Sequence, residues 1–152
     1  MIHALFAYYA ASPLGVAIAN SSWAFAVIEV FHLIALSALG GGLLVATLGL
    51  SGLVFRFADR RQLWQGLRPL LLWSFAAIAV TGALLVGSNP MKYYFNDAFR
   101  VKMLFLGAAL IVTFFADRAV DRRFIKLAVI CVPVVLILWL GVALAGRLIG
   151  LL

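Results

Sequence analysis

The sequence is short of charge. Of 152 residues, 12 are Lys or Arg and 5 are Asp or Glu, 11% in all, against 66% hydrophobic residues. Soluble domains carry about 25% charged and 45–50% apolar residues, so a water-soluble globular domain is excluded. The chain also lacks a cysteine pair. Cys131 is alone, which excludes an intrachain disulfide and a cysteine-based zinc site. It lies within an apolar run and reads as a small core residue. Histidine is limited to His3 and His32, and no glycine-rich phosphate loop occurs. No Lys or Arg precedes Arg56, which argues against a secretory signal with its positive n-region.

What is present is long apolar segments. Mean hydropathy is +1.17. The length allows one domain and a handful of spans. Residues 1–22 mix His3, Tyr8, Tyr9, Pro13, Asn20, Ser21 and Ser22 with short apolar pieces, and read as an interfacial segment. Residues 23–152 read as a bundle of four transmembrane helices, with spans at about 23–55, 70–86, 98–115 and 124–148. The expected fold is therefore an all-α membrane protein. Pro69 suits the first turn of the second span, and Pro133 predicts a kink in the fourth. Ser88-Asn89-Pro90 marks a turn, after which Asn96 or Asp97 can cap the third span. Thr81 can bond back to its own helix. A short echo, Phe57-Ala58-Asp59-Arg60 and Phe115-Ala116-Asp117-Arg118, follows the first and third spans and fits two stacked hairpins.

The net charge of +7 sits in short loops between apolar runs. Such charge sets topology rather than forming a nucleic-acid surface, and no nucleic-acid partner is expected. Arg56, Arg60, Arg61 and Arg68 follow the first span; Arg118, Arg122, Arg123 and Lys126 follow the third. The positive-inside rule keeps both loops in the cytoplasm, so both termini face outward from a bacterial inner membrane, towards the periplasm.

Glu29 and His32 stand out. They are three residues apart in the first span and share a helix face. A carboxylate at membrane depth costs several kcal/mol unless it is paired, protonated or turned to a polar interior. His32 lies about 14 Å into the first span and Lys102 about 6 Å into the third, at 1.5 Å per residue. Both spans run outside to inside, so Glu29, His32 and Lys102 share the outer half, beneath Tyr93 and Tyr94. His32 suits an axial ligand to haem iron, a proton carrier or a hydrogen-bonding core residue. Glu29 suits an ion pair with Lys102, a proton relay or a bond to a partner helix. Lys102 suits that pair, a ligand role as the neutral amine, or snorkelling to the headgroups. Gly40 and Gly41 admit close approach of a helix or a flat cofactor. Tyr93 and Tyr94 suit interfacial anchors, and Tyr94 joins the cofactor-contacting set.

Two motifs resemble small bacterial four-helix membrane proteins of the HemJ-type protoporphyrinogen oxidase and CopD-like groups. One is Val30-Phe31-His32-Leu33-Ile34-Ala35-Leu36 running into Gly40-Gly41-Gly42. The other is Phe99-Arg100-Val101-Lys102-Met103-Leu104. A related uncharacterised bacterial four-helix family shares both, together with Asn89-Pro90-Met91-Lys92-Tyr93-Tyr94 and Trp23 ahead of Glu29. That resemblance covers about Trp23 to Phe115. The HemJ resemblance implies haem b held through His32 and Lys102. The chain departs from that pattern in having Asn96-Asp97-Ala98-Phe99 in place of a tryptophan–histidine pair, and Phe114-Phe115 in place of a histidine near the helix end.

The expected function is a small haem-binding or redox-associated membrane protein. The alternatives are an accessory or structural subunit, in a homo-oligomer or larger membrane complex, and a proton-coupled carrier. A reporter fused after Leu152 should be active on the outer side of the membrane; cytoplasmic activity would invert the predicted topology.

Overall fold

The computed structural model describes residues 12–55, 59–122 and 124–149. It is an all-α membrane protein. A short helix, α1 (Pro13–Ala19), precedes two long ones, α2 (Ser22–Leu50) and α3 (Arg60–Ser88). One short turn of helix, α4 (Pro90–Phe95), leads to α5 (Asp97–Asp121) and α6 (Ile125–Ile149). The four long helices are each long and apolar enough to cross a membrane. Residues 1–11, half of the segment expected to be interfacial and including His3, fall outside the described residues, as do Arg56 and Arg123.

The helix ends explain where the observed elements differ from the sequence expectation. The first long helix stops at Leu50 rather than near Phe55. Gly52 takes φ +77°, a left-handed conformation that glycine adopts without a Cβ penalty. Its amide donates to the Gly49 carbonyl at 3.1 Å, and the Leu53 amide to the Leu48 carbonyl at 3.1 Å. These two bonds are a Schellman stop, which satisfies the last carbonyls before the chain leaves the helix. The second long helix starts ten residues before Leu70, because Asp59 caps it by accepting the Arg61 amide at 2.9 Å. Pro69 therefore lies inside α3 and not in its first turn. Having no amide, it leaves the Gln65 carbonyl without its intrahelical donor. Asn96 caps α5 through the Phe99 amide at 3.3 Å. Pro133 lies inside α6.

α2 packs along α3, and α5 along α6, forming two antiparallel hairpins. The hairpins meet mainly through α2 and α6, and α1 lies on α3. The core is densest at the basic end, where α2 and α5 finish and α3 and α6 begin. There Leu43, Ala46, Leu50, Trp64, Ala109, Ala116, Val120, Val132 and Val135 are buried. Alanines on α5 and valines on α6 let those two helices approach closely, as small residues do where lipid offers no hydrophobic drive.

One polar tie joins the hairpins at this end. The Trp64 indole Nε1 donates to Asp117 Oδ1 at 2.9 Å, and Arg68 Nη2 to Asp117 Oδ2 at 2.9 Å. Arg68 Nη1 also stands 3.9 Å from Asp121 Oδ2. The repeated tetrapeptide thus does two different jobs. Asp59 caps a helix start, whereas Asp117 lies within α5, which runs on to Asp121, and bridges to α3. Trp64 is only 2% exposed, so its N–H has no water to turn to. Removing a buried donor's partner costs about 1–3 kcal/mol. Asp117→Leu should therefore lower the thermal midpoint in detergent clearly, and Trp64→Phe, which removes the donor itself, less so. An unchanged midpoint in Asp117→Leu would show that the tie contributes nothing.

Candidate functional site

The face of α2 that carries Ala35, Leu39, Leu43, Ala46 and Leu50 is buried against the bundle. His32 lies three residues before Ala35 and continues that face. It is half-buried and points at α3, where its Nδ1 stands 2.8 Å from Thr81 Oγ1. The Thr81 hydroxyl donates its one hydrogen to the Ala77 carbonyl at 2.6 Å. Its oxygen is then the acceptor, and His32 Nδ1 carries the proton. The other nitrogen, Nε2, presents a lone pair. Among the described residues, Arg61 Nε is the only buried side-chain nitrogen or oxygen without a partner. The ring also meets the Ile78 backbone in a hydrogen bond, and Nε2 is not a buried atom left without a partner. Gly82 completes the seat, since a Cβ there would stand 3.4 Å from His32 Cε1.

Lys102, one turn into α5, is half-buried. Its stem lies across α6 at Gly146: a Cβ at that glycine would stand 3.3 Å from Nζ and 3.6 Å from Cε. The bare backbone of Gly146 is what leaves room for the ammonium. Its charge is felt at the His32 ring. No carboxylate pairs with Lys102 among the described residues. In particular Glu29 does not: it is exposed on α2. Its electrostatic influence falls instead on Tyr93, in α4. Burial pushes the Tyr93 phenol above its ordinary pKa, and the Glu29 carboxylate adds to the rise. The Tyr93 ring packs edge-on against Phe99 with centroids 5.6 Å apart.

The structure thus brings together some of the residues singled out in the sequence and not others. His32 and Lys102 sit within one polar region at the end of the bundle opposite the basic loops. Glu29 stands at its rim with Tyr93. Tyr94 turns its ring edge-on to Phe95, at 5.0 Å between centroids. Gly40 and Gly41 do not line the region. They lie two turns further along α2, and nothing stands within 4 Å of a Cβ built on either. Three contributors were not marked as site residues in the sequence: Thr81, Gly82 and Gly146. Thr81 satisfies its own hydroxyl within α3, so only the helix pairing shows that its oxygen also receives a histidine. No group of three or more His, Cys, Asp or Glu that could hold a metal ion occurs among the described residues. The arrangement sets one oriented imidazole near one cation that has no ion pair among the described residues.

Titration checks the rim. The difference in tyrosinate absorbance between the protein and Tyr93→Phe reports Tyr93. Glu29→Gln should lower its midpoint, yet leave it above that of a free tyrosine, because burial remains. An unmoved midpoint would place the carboxylate out of range.

The family described as "Family of unknown function (DUF6644)" matches residues 6–152, and the chain belongs to it. No curated protein and no solved structure matches the chain.

Proposed function

We propose that this member of the DUF6644 family is a small membrane haem protein, in which His32 Nε2 would hold the iron and Lys102 would supply the neighbouring positive charge. One observation carries the reading. The Thr81 oxygen accepts the Nδ1 proton of His32, so the ring is held in orientation and tautomer and Nε2 is the nitrogen left for a ligand role. Metal-ligating histidines are held in this way by an acceptor on their other nitrogen. Lys102 fits the same group. An ammonium at membrane depth, unpaired among the described residues, calls for an anion, and haem carries carboxylates. The likeness of the His32 and Lys102 segments to HemJ-type and CopD-like proteins points the same way.

Bound haem would supply one-electron chemistry. The chain's own residues do the rest. Thr81 holds the imidazole, Gly82 gives it room, and the stem of Lys102 rests on Gly146. The surrounding apolar helices lower the local dielectric, which together with the histidine nitrogen would tune a bound haem.

A second reading, a subunit that binds a partner helix, draws on Glu29. This carboxylate is exposed within a span and has no ion pair among the described residues. A neighbouring polar helix would meet that need.

Protein expressed with ample haem and purified in detergent should show a Soret band. His32→Ala should abolish the band and leave a folded, membrane-inserted protein. Thr81→Val should retain the band but weaken haem binding by about 10–100-fold, the usual effect of losing the group that orients a ligating histidine. Colourless wild-type protein would remove the haem reading and leave the subunit reading in its place.

A further inference from the structure

The second inference lies at the opposite, basic end and is independent of the haem reading. An open groove runs along the outer face of α3, lined by Gln65, Arg68, Pro69, Leu72, Trp73 and Ala76. Arg61, Gln65, Arg68, Leu72 and Ala76 follow one another at intervals of three and four residues, so they share one face of the helix. That face is cationic at one end and apolar at the other. Leu72 is 59% exposed and Trp73 76%. From Arg68 to Ala76 the helix rises about 12 Å at 1.5 Å per residue. That is most of one leaflet's share, about 15 Å, of a hydrocarbon core about 30 Å thick.

We infer that this groove holds one anionic phospholipid, with its phosphate at Arg61 and Arg68 and an acyl chain along Pro69, Leu72, Trp73 and Ala76. Three observations carry the assignment. First, the groove sets charge beside apolar surface at the level where a phospholipid does the same. Second, hydrogen-bonding capacity is left over at the mouth of the groove, where Arg61 stands one turn before the lining residue Gln65. Arg61 Nε is buried without a partner among the described residues. The Gln65 carbonyl lacks its helical donor because Pro69 follows four residues later. A guanidinium suits a phosphate, and a free carbonyl suits a headgroup hydroxyl such as that of a glycerol. Third, the surrounding charge is positive. Arg68 is engaged by Asp117 and Asp121, but Arg60 and Arg61 on α3 and Arg118 and Arg122 on α5 lie at the same end and have no ion pair among the described residues. Clusters of basic residues at a membrane surface attract anionic headgroups. A second groove at this end repeats the pattern, with Lys126 among Phe124, Ile125 and Leu127.

Trp73 provides the probe. Bromine on an acyl chain quenches an indole in contact with it, and the signal lost in Trp73→Phe isolates Trp73. The full-length protein should be placed in vesicles of a zwitterionic phosphatidylcholine, then titrated with brominated phosphatidylglycerol or brominated phosphatidylcholine. The anionic lipid should half-quench Trp73 at about a fivefold lower mole fraction, the preference expected of one basic residue at a membrane surface. Arg61→Gln should bring the two midpoints together, whereas Arg61→Lys should retain part of the preference. Coincident midpoints in the wild type would overturn the proposal, as would a full preference in Arg61→Gln. If Arg61→Gln does not fold, the wild-type comparison decides alone. Quenching unchanged in Trp73→Phe would place the lipid elsewhere. Release of the brominated lipid by millimolar inorganic phosphate would assign the cation to a free anion rather than a lipid.

Discussion

Hydrocarbon contains no hydrogen-bond partner, and this constraint shapes every part of the chain. Each backbone amide and carbonyl within the bilayer must find its partner inside the protein, which the four long helices achieve. The difficulty moves to the helix ends and to the prolines. Asp59 and Asn96 close two helix starts, and the Schellman bonds around Gly52 close one helix end. Pro69 is different. It opens a carbonyl in α3 one turn after the basic end, close to where headgroups and water begin. A broken backbone bond is tolerable at that depth and would be costly nearer the middle.

The same constraint divides the bundle in two. At the basic end the helices are packed by alanine, valine and leucine, with the Asp117 carboxylate fastening α5 to α3 through Trp64 and Arg68. A carboxylate in lipid would be expensive, but here both of its oxygens accept bonds and the arginine offsets its charge. Away from that end α6 stays buried and apolar through Trp139, Val142 and Ala145, and His32, Thr81 and Lys102 add polar groups between the helices, with small residues, Gly82 and Gly146, leaving room for the larger side chains. Dense packing in one half gives the other half a rigid frame, as a site that must hold a ring in one orientation requires.

Much of the fold was legible before any coordinates. Hydropathy alone gave the number of spans, because a bilayer sets a minimum apolar length that no soluble element needs. That His32 and Lys102 lie towards the same end of the bundle followed from their positions along the helices. Helix boundaries were less legible. Amphipathic first turns such as Arg60–Gln65 continue a helix past the membrane, where hydropathy no longer marks them, and a Schellman stop depends on one residue's φ. Partners were the least legible. Glu29 and Lys102 lie towards the same end of the bundle, but position along a helix is one coordinate. The rotation of each helix about its axis decides who meets whom, and it turned Glu29 outward beside Tyr93.

Composition and spacing by themselves determined that this chain is a multi-pass helical membrane protein with ionisable residues within its spans, because those facts depend on local hydropathy and the fixed geometry of the α-helix. Only the tertiary structure decided that Thr81 orients His32, that Gly146 makes room for Lys102, and that Asp117 ties Trp64 and Arg68 to α5. Each of these pairs residues about 40 to 55 positions apart, and no periodicity within one helix encodes which face of a distant helix it will meet.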